Sequence, residues 1–182
     1  MRIIGIAGWS GSGKTTLLTR VIPRLVADGL KVSTLKHAHH AFDIDQPGKD
    51  SYAHREAGAS EVLIASANRY ALMHELRGAP EPPVAELLAK LSPVDLVIVE
   101  GWKVSHYAKI EVYRQEVGKP LLHPGDPYIR GIASDVPLPQ ATPPVVTLSD
   151  TDAVVTLMLE IAEPLAAVIT RLASPSPSLA GT

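Results

Sequence analysis

Near the N-terminus the chain reads Gly8-Trp9-Ser10-Gly11-Ser12-Gly13-Lys14-Thr15, which meets G-x-x-x-x-G-K-[ST] at every fixed position. No other segment narrows the fold as far. The pattern has physical meaning only where a strand enters it and a helix leaves it, because the turning backbone must aim successive N–H groups at one anion. Both flanks are present. Ile3 to Ala7 is a short apolar run bounded by glycine, as in a buried strand. Thr16 to Ala27 carries Leu17, Leu18, Val21, Ile22 and Leu25 at helical spacing, and Pro23 within it predicts a bend or an early end. Lys31 to Lys36 is a second strand. This βαβ unit predicts an α/β fold of the P-loop NTPase type, a mostly parallel sheet flanked by helices.

The remaining segments fill out that plan. Residues 37–50 are polar and read as a loop, with a short helix over Ser51 to Ala57. Glu61 to Ser66 and Arg69 to Leu76 read as strands joined at Ala67-Asn68, an antiparallel β-hairpin added at the edge of the sheet. Unpaired strand edges invite pairing with another chain, so the hairpin is the candidate homodimer surface. Pro83 to Leu91 reads as a helix, and Val94 to Val99 as a strand buried on both faces. Lys109 to Arg114 alternates Ile110 and Val112 with polar residues; Tyr128 to Ala133 and Val145 to Leu148 are two further strands. Asp150 caps a last helix over Thr151 to Ala173, broken or kinked at Pro164. The expectation is one nucleotide-binding domain over residues 1–173, with a disordered tail over 174–182.

The loop's chemistry follows from its residue types. A phosphate chain needs many donors at short range, and glycine admits the close approach and left-handed dihedrals that turn N–H groups inward. Gly8, Ser10, Gly11, Ser12, Gly13, Lys14, Thr15 and Thr16 are the candidate phosphate-binding residues. Lys14 is expected to reach the β- and γ-phosphates, and the Thr15 hydroxyl to ligate Mg2+. A second carboxylate for the metal belongs at the C-terminal end of a neighbouring strand. Glu100, closing Leu96-Val97-Ile98-Val99-Glu100, meets that requirement. Asp95 stands about 16 Å earlier at strand rise, at the wrong end of the sheet.

Composition excludes several other classes. With 17 basic and 19 acidic residues the net charge is −2, which gives no general reason to expect nucleic acid as a partner. The absence of cysteine rules out disulfides, thiolate zinc sites and thiol catalysis. The first apolar run ends too soon to span a membrane, so a soluble, cytoplasmic protein is the expectation.

Three segments together carry a family resemblance: GWSGSGKTTL, then KHAHHAFDIDQPGKDSYAHREAGA at 36–59, then DLVIVEGWK at 95–103. With KIEVYR at 109–114 and IASD at 132–135, the chain resembles the MobB family of molybdopterin-guanine dinucleotide biosynthesis accessory proteins over most of residues 1–150. The resemblance implies a homodimeric GTP-binding protein that assists the guanylyltransferase MobA and hydrolyses GTP weakly. It carries over onto Lys36, His37, Asp45, Pro47, Gly48, Lys49 and Asp50, and onto Glu100, Gly101 and Lys103. Asp45 or Asp50 would act there on magnesium or water beside the γ-phosphate, with Glu100 completing the catalytic set.

Guanine choice rests on the residues themselves. No Asn-Lys-x-Asp tetrapeptide occurs. Ser134 and Asp135 end a predicted strand, where a carboxylate would accept the guanine N1–H and N2 amine; the plain alternative is that Asp135 opens the turn before Pro137. Anionic pterin phosphate, should molybdopterin bind, would find Lys36, Lys49, Arg55 and Lys103 attractive. Each is equally a solvated surface charge, and for Arg55 that reading is preferred. His37, His39 and His40 allow a metallochaperone reading, weakened by the lack of cysteine partners. A small-molecule kinase reading needs an arginine-rich lid, and residues 114–130 offer only Arg114 and Arg130. Trp9 is expected to pack, and Trp102 to line a pterin or partner surface.

Overall fold

A computed structural model describes residues 1–38, 42–102 and 105–173. The order along the chain is β1 (Arg2–Ala7), α1 (Lys14–Ala27), β2 (Val32–Lys36), α2 (Asp50–Glu56), β3 (Glu61–Ala65), β4 (Tyr70–His74), α3 (Val84–Ala89), β5 (Leu96–Glu100) and β6 (Lys109–Tyr113). It continues with β7 (Ile129–Ser134), β8 (Val145–Thr147), α4 (Thr151–Ile161), β9 (Glu163–Pro164) and α5 (Leu165–Ala173). Two compact units result, one formed by 1–37 with the chain from residue 88 onward, the other by 38–87.

The larger unit is built on a seven-stranded sheet in the order β2-β5-β1-β6-β7-β8, all parallel, with β9 antiparallel to the start of β1. The expected α/β class is therefore the observed one. Burial explains the central strands: Leu96, Val97, Ile98 and Val99 of β5 are at most 1% exposed, as a strand covered on both faces requires. Ile4, Ile6, Ile98, Ile110 and Val112 meet Leu17, Val21 and Leu25 of α1 and Val154 and Met158 of α4 in one cluster. Gly131 makes room for Leu157, which a Cβ there would meet at 2.7 Å. Helix α1 runs on through Pro23 to Ala27, so Pro23 does not end it early. Pro23 lies on the exposed face, where the carbonyl deprived of its partner can bond to water.

The last helix divides at Pro164 as its sequence suggests. Asp150 Oδ1 accepts a 3.0 Å hydrogen bond from Ala153 N and caps α4, while β9 pairs Glu163 with Ile3 before α5 begins. Strand β6 departs from its alternating pattern, which describes a half-exposed strand. Lys109 and Glu111 are 2% and 0% exposed. Burial is possible because each is satisfied: Lys109 Nζ pairs with Asp126 at 2.6 Å, and Glu111 accepts Leu122 N at 2.7 Å and His123 N at 2.9 Å. No helix among the described residues is long and apolar enough to cross a membrane.

The smaller unit contains α2 and the hairpin. The hairpin forms as predicted, with Glu61 opposite His74 and Ala65 opposite Tyr70, but it is a two-stranded sheet of its own and adds no strand to the central one. Ser66 closes its turn, its Oγ accepting from Asn68 N and Arg69 N at 3.3 Å each. Val62 and Met73 point inward; Leu63, Leu72 and Tyr70 share the opposite, exposed face. Arg55, preferred above as a solvated charge, is instead sheltered and bound to Asp43 at 2.8 Å, Glu75 at 3.4 Å and Asp45 at 3.7 Å. Three carboxylates around one guanidinium fix the loop before α2 to the helix and the hairpin. The expected tail over 174–182 lies outside the described residues.

Candidate functional site

The phosphate loop sits where β1 ends. Three of its glycines hold positive φ: Gly8 at 143°, Gly11 at 82° and Gly13 at 90°. At Gly8 the need is also steric, since a Cβ would stand 2.6 Å from the carbonyl oxygen of Val112 on β6. Gly13 occupies the N-cap of α1, and no side chain caps that end. The N–H groups of Lys14, Thr15 and Thr16 therefore leave the helix toward whatever acceptor sits beyond it. Lys14 Nζ folds onto the loop, donating to Gly8 O at 3.0 Å and Trp9 O at 2.9 Å. Ser12 is 2% exposed, and its Oγ has no hydrogen-bond partner among the described residues. A buried hydroxyl costs free energy unless paired, so an acceptor or donor brought by a ligand suits this loop.

The sheet register lines up the other candidates along the same C-terminal edge. Glu100 is the partner of Ile6 on β1 and of Lys36 on β2. It thus stands beside the start of the phosphate loop, with Lys36 on its outer side. Gly101 has φ 102°, and a Cβ there would meet His37 O at 2.8 Å, so glycine lets the ends of β2 and β5 close together. His37 and Trp102 bring their rings to 4.9 Å above that junction. Asp95 lies at the opposite edge, where its Oδ2 accepts Lys31 N at 2.8 Å and starts β2. On the far side of β1, Arg114 follows β6 and its Nε donates to Ser12 O at 3.2 Å.

Ser134 and Asp135 close β7. Ser134 Oγ donates to Val136 O at 2.7 Å, and Asp135 Oδ1 accepts Gln115 N at 3.0 Å. Asp135 thereby joins the end of β7 to the residue after Arg114. Trp9 reaches the same segment, its Nε1 donating to Pro120 O at 2.8 Å. Below these contacts, burial raises the Glu111 carboxyl above its ordinary range, although the amides of Leu122 and His123 oppose the shift. Burial likewise pushes the Tyr107 hydroxyl up to about 12; its ring lies over Gly5, where a Cβ would clash at 2.7 Å.

A family model described as molybdopterin guanine dinucleotide synthesis protein B matches residues 3–135. The chain belongs to that family. It is 43% identical over 139 residues to the molybdopterin-guanine dinucleotide biosynthesis adapter protein of Escherichia coli K12, covering 75% of this chain and 79% of that one. The adapter protein of the same name from Haemophilus influenzae is 44% identical over 139 residues, covering 75% and 76%. The crystal structure of a MobB protein homolog from Bacillus stearothermophilus superposes with a TM-score of 0.64 at 25% identity, over 87% of this chain and 97% of that one. The match to the MobB family ends at Asp135, so it takes in the phosphate loop and the ends of β2, β5, β6 and β7.

Asp45, Lys49 and Asp50 belong to the smaller unit. Asp45 is 4% exposed at its side chain and accepts Ser51 Oγ at 2.8 Å, whereas Lys49 and Asp50 are exposed at the start of α2. His39, His40 and Lys103 lie outside the described residues. Among the described residues no group of three His, Cys, Asp or Glu side chains is placed to hold a metal ion. Sequence reading assigns no site role to Lys109 and Glu111, and counts Arg114 only toward an arginine-rich lid. The available signal was the KIEVYR run itself, which sets charged residues in a strand next to the one feeding the loop.

Proposed function

We propose that this chain binds GTP with Mg2+ at residues 8–16 and serves as an accessory protein in molybdopterin guanine dinucleotide synthesis, assisting a MobA-like guanylyltransferase. The observation that carries the reading is the loop: three glycines of positive φ lead into an uncapped helix N-terminus beside a buried Ser12 hydroxyl with no partner among the described residues. Phosphate would be held by the N–H groups of Gly11 to Thr16 and by Lys14, once its ammonium leaves the loop carbonyls. Thr15 and Glu100 would hold the metal, which supplies charge neutralisation between the β- and γ-phosphates. Lys36 and Gly101 border the metal side, and Ser134 with Asp135 the base side. Asp135 retains Oδ2 for guanine while Oδ1 keeps Gln115.

Hydrolysis is slow in this reading, because a partner usually supplies the missing catalytic group. Asp45 and Asp50 are the candidates for acting on water or metal; Asp45 must first release Ser51, and Asp50 is the more accessible. Residues 1–173 act as the nucleotide-binding domain, in the cytoplasm. The chain is a homodimer, with the exposed apolar face of Leu63, Leu72 and Tyr70 as the contact.

The accessory role is tested by following guanylyl transfer to molybdopterin by a purified MobA-like enzyme at limiting GTP. Addition of this chain should raise the rate, and addition of the Lys14→Ala variant should not. No stimulation by the wild-type chain, or equal stimulation by the variant, would remove the role.

A further inference from the structure

Arg114 is the arginine that touches the loop among the described residues, and its placement is specific. Its Nε stands 3.0 Å, and its Nη2 3.5 Å, from where a Cβ on Gly13 would lie. Gly13 is the N-cap of α1, so the guanidinium rests against the residue that presents the helix N-terminus. The Nε bond to Ser12 O uses one of five donors. The nearest carboxylate among the described residues is Glu116, whose Oε1 is 3.9 Å from Nη1 on a side chain 76% exposed. That is beyond hydrogen-bond length. The remaining fork of N–H groups is 31% exposed and meets a carboxylate only in the long 3.9 Å ion pair with Glu116.

The sheet order says which part of a nucleotide it faces. Glu100 lies on β5 and Arg114 follows β6, on opposite sides of β1. Thr15 and Glu100 would hold a metal that neutralises charge at the terminal phosphates, so that flank is the γ side. The flank of Arg114 leads instead toward Asp135 at the end of β7, which is tied to Gln115. Given nucleotide binding at this loop, as proposed above, we infer that Arg114 is a further nucleotide-binding residue that takes the α-phosphate from the flank opposite the metal. Planar donors matched to phosphate oxygens suit arginine better than lysine. The Ser12 bond orients the fork before the ligand arrives, which lowers the ordering cost of the contact.

Titration of GDP and GTP against the wild-type chain, Arg114→Gln and Arg114→Lys tests the assignment, with thermal melting of each variant without nucleotide. Arg114→Gln should lose affinity for GDP and GTP by the same factor, about tenfold or more, as for a lost charge-assisted contact. Arg114→Lys should recover part of it and show the steeper salt dependence of a retained charge. Loss confined to GTP would overturn the α-phosphate assignment. Arg114→Lys binding no better than Arg114→Gln, with a melting point lowered to match, would reduce Arg114 to a strap for the loop. Wild-type binding with an unaffected Arg114→Gln variant also overturns the inference alone. Failure of the wild-type chain to bind either nucleotide overturns the nucleotide reading itself.

Discussion

Ile6 and Glu100 are register partners across the parallel strands β1 and β5, so the carboxylate closing β5 lies beside the residue two positions before Gly8. Register of this kind is set by packing on the sheet's faces, since a slip by one residue would turn Ile4, Ile6 or Ile98 away from α1 and α4. Glu100→Gln should therefore weaken Mg2+-dependent GTP binding by about tenfold or more while leaving metal-free binding nearly unchanged. Asp95→Ala, at the opposite edge, should leave nucleotide affinity alone and cost about 1 kcal/mol of stability through the lost Lys31 N bond. Calorimetry and denaturant unfolding of the two variants separate these effects.

Gly8 offers a purely steric test. With φ at 143° and the Val112 carbonyl 2.6 Å from the added Cβ, alanine meets backbone on both counts. Gly8→Ala should destabilise the chain by about 2 kcal/mol or more, seen as a lower denaturant midpoint without nucleotide. Gly11→Ala, with a positive φ but nothing near its Cβ, should cost less.

How much of this was legible beforehand follows the range of the interactions. The loop, Glu100 and the cap at Asp150 are readable because their physics is local: glycine dihedrals, a strand end, a side chain bonding three residues ahead. The break at Pro164 is readable for the same reason. The two-residue strand β9 is too short to leave a pattern. Lys109 and Glu111 mimic a solvated face in sequence, and only partners at Asp126 and at the 122–123 amides make their burial possible. In the sequence Arg114 counts only as one of two arginines, too few for a kinase lid, whereas its neighbour is Ser12, 102 residues away in the chain. The hairpin was recognisable, but nothing in two alternating strands says which sheet they join.

Glu163 gives a pH dependence with a definite sign. Burial works to raise its carboxyl, but Arg171 at 2.7 Å and the Ala108 N–H at 2.6 Å outweigh that and hold it below its ordinary value of 4.5. The group binds fewer protons folded than unfolded, so its stabilisation is present above the unfolded value and is lost as pH falls through the folded one. Glu163→Gln should accordingly lower stability near neutrality and flatten the acid limb below about pH 4.5. Urea unfolding across that range checks it; an unchanged acid limb would contradict it.

The cap on α4 is simpler. Asp150→Ala removes the acceptor of Ala153 N and should cost about 1 kcal/mol, and Asp150→Asn much less. Because α4 packs on α1 in the main core, the loss should appear in global unfolding and not as fraying alone.

The most direct test of the account is calorimetric titration of the purified chain with GTP and with ATP, each with and without Mg2+, beside Lys14→Ala. The account predicts binding that prefers GTP, strengthens with Mg2+ and is lost in the variant while its melting curve is kept. Equal or better binding of ATP would remove Asp135 as the guanine reader, and unchanged binding by Lys14→Ala would contradict the assignment of the loop.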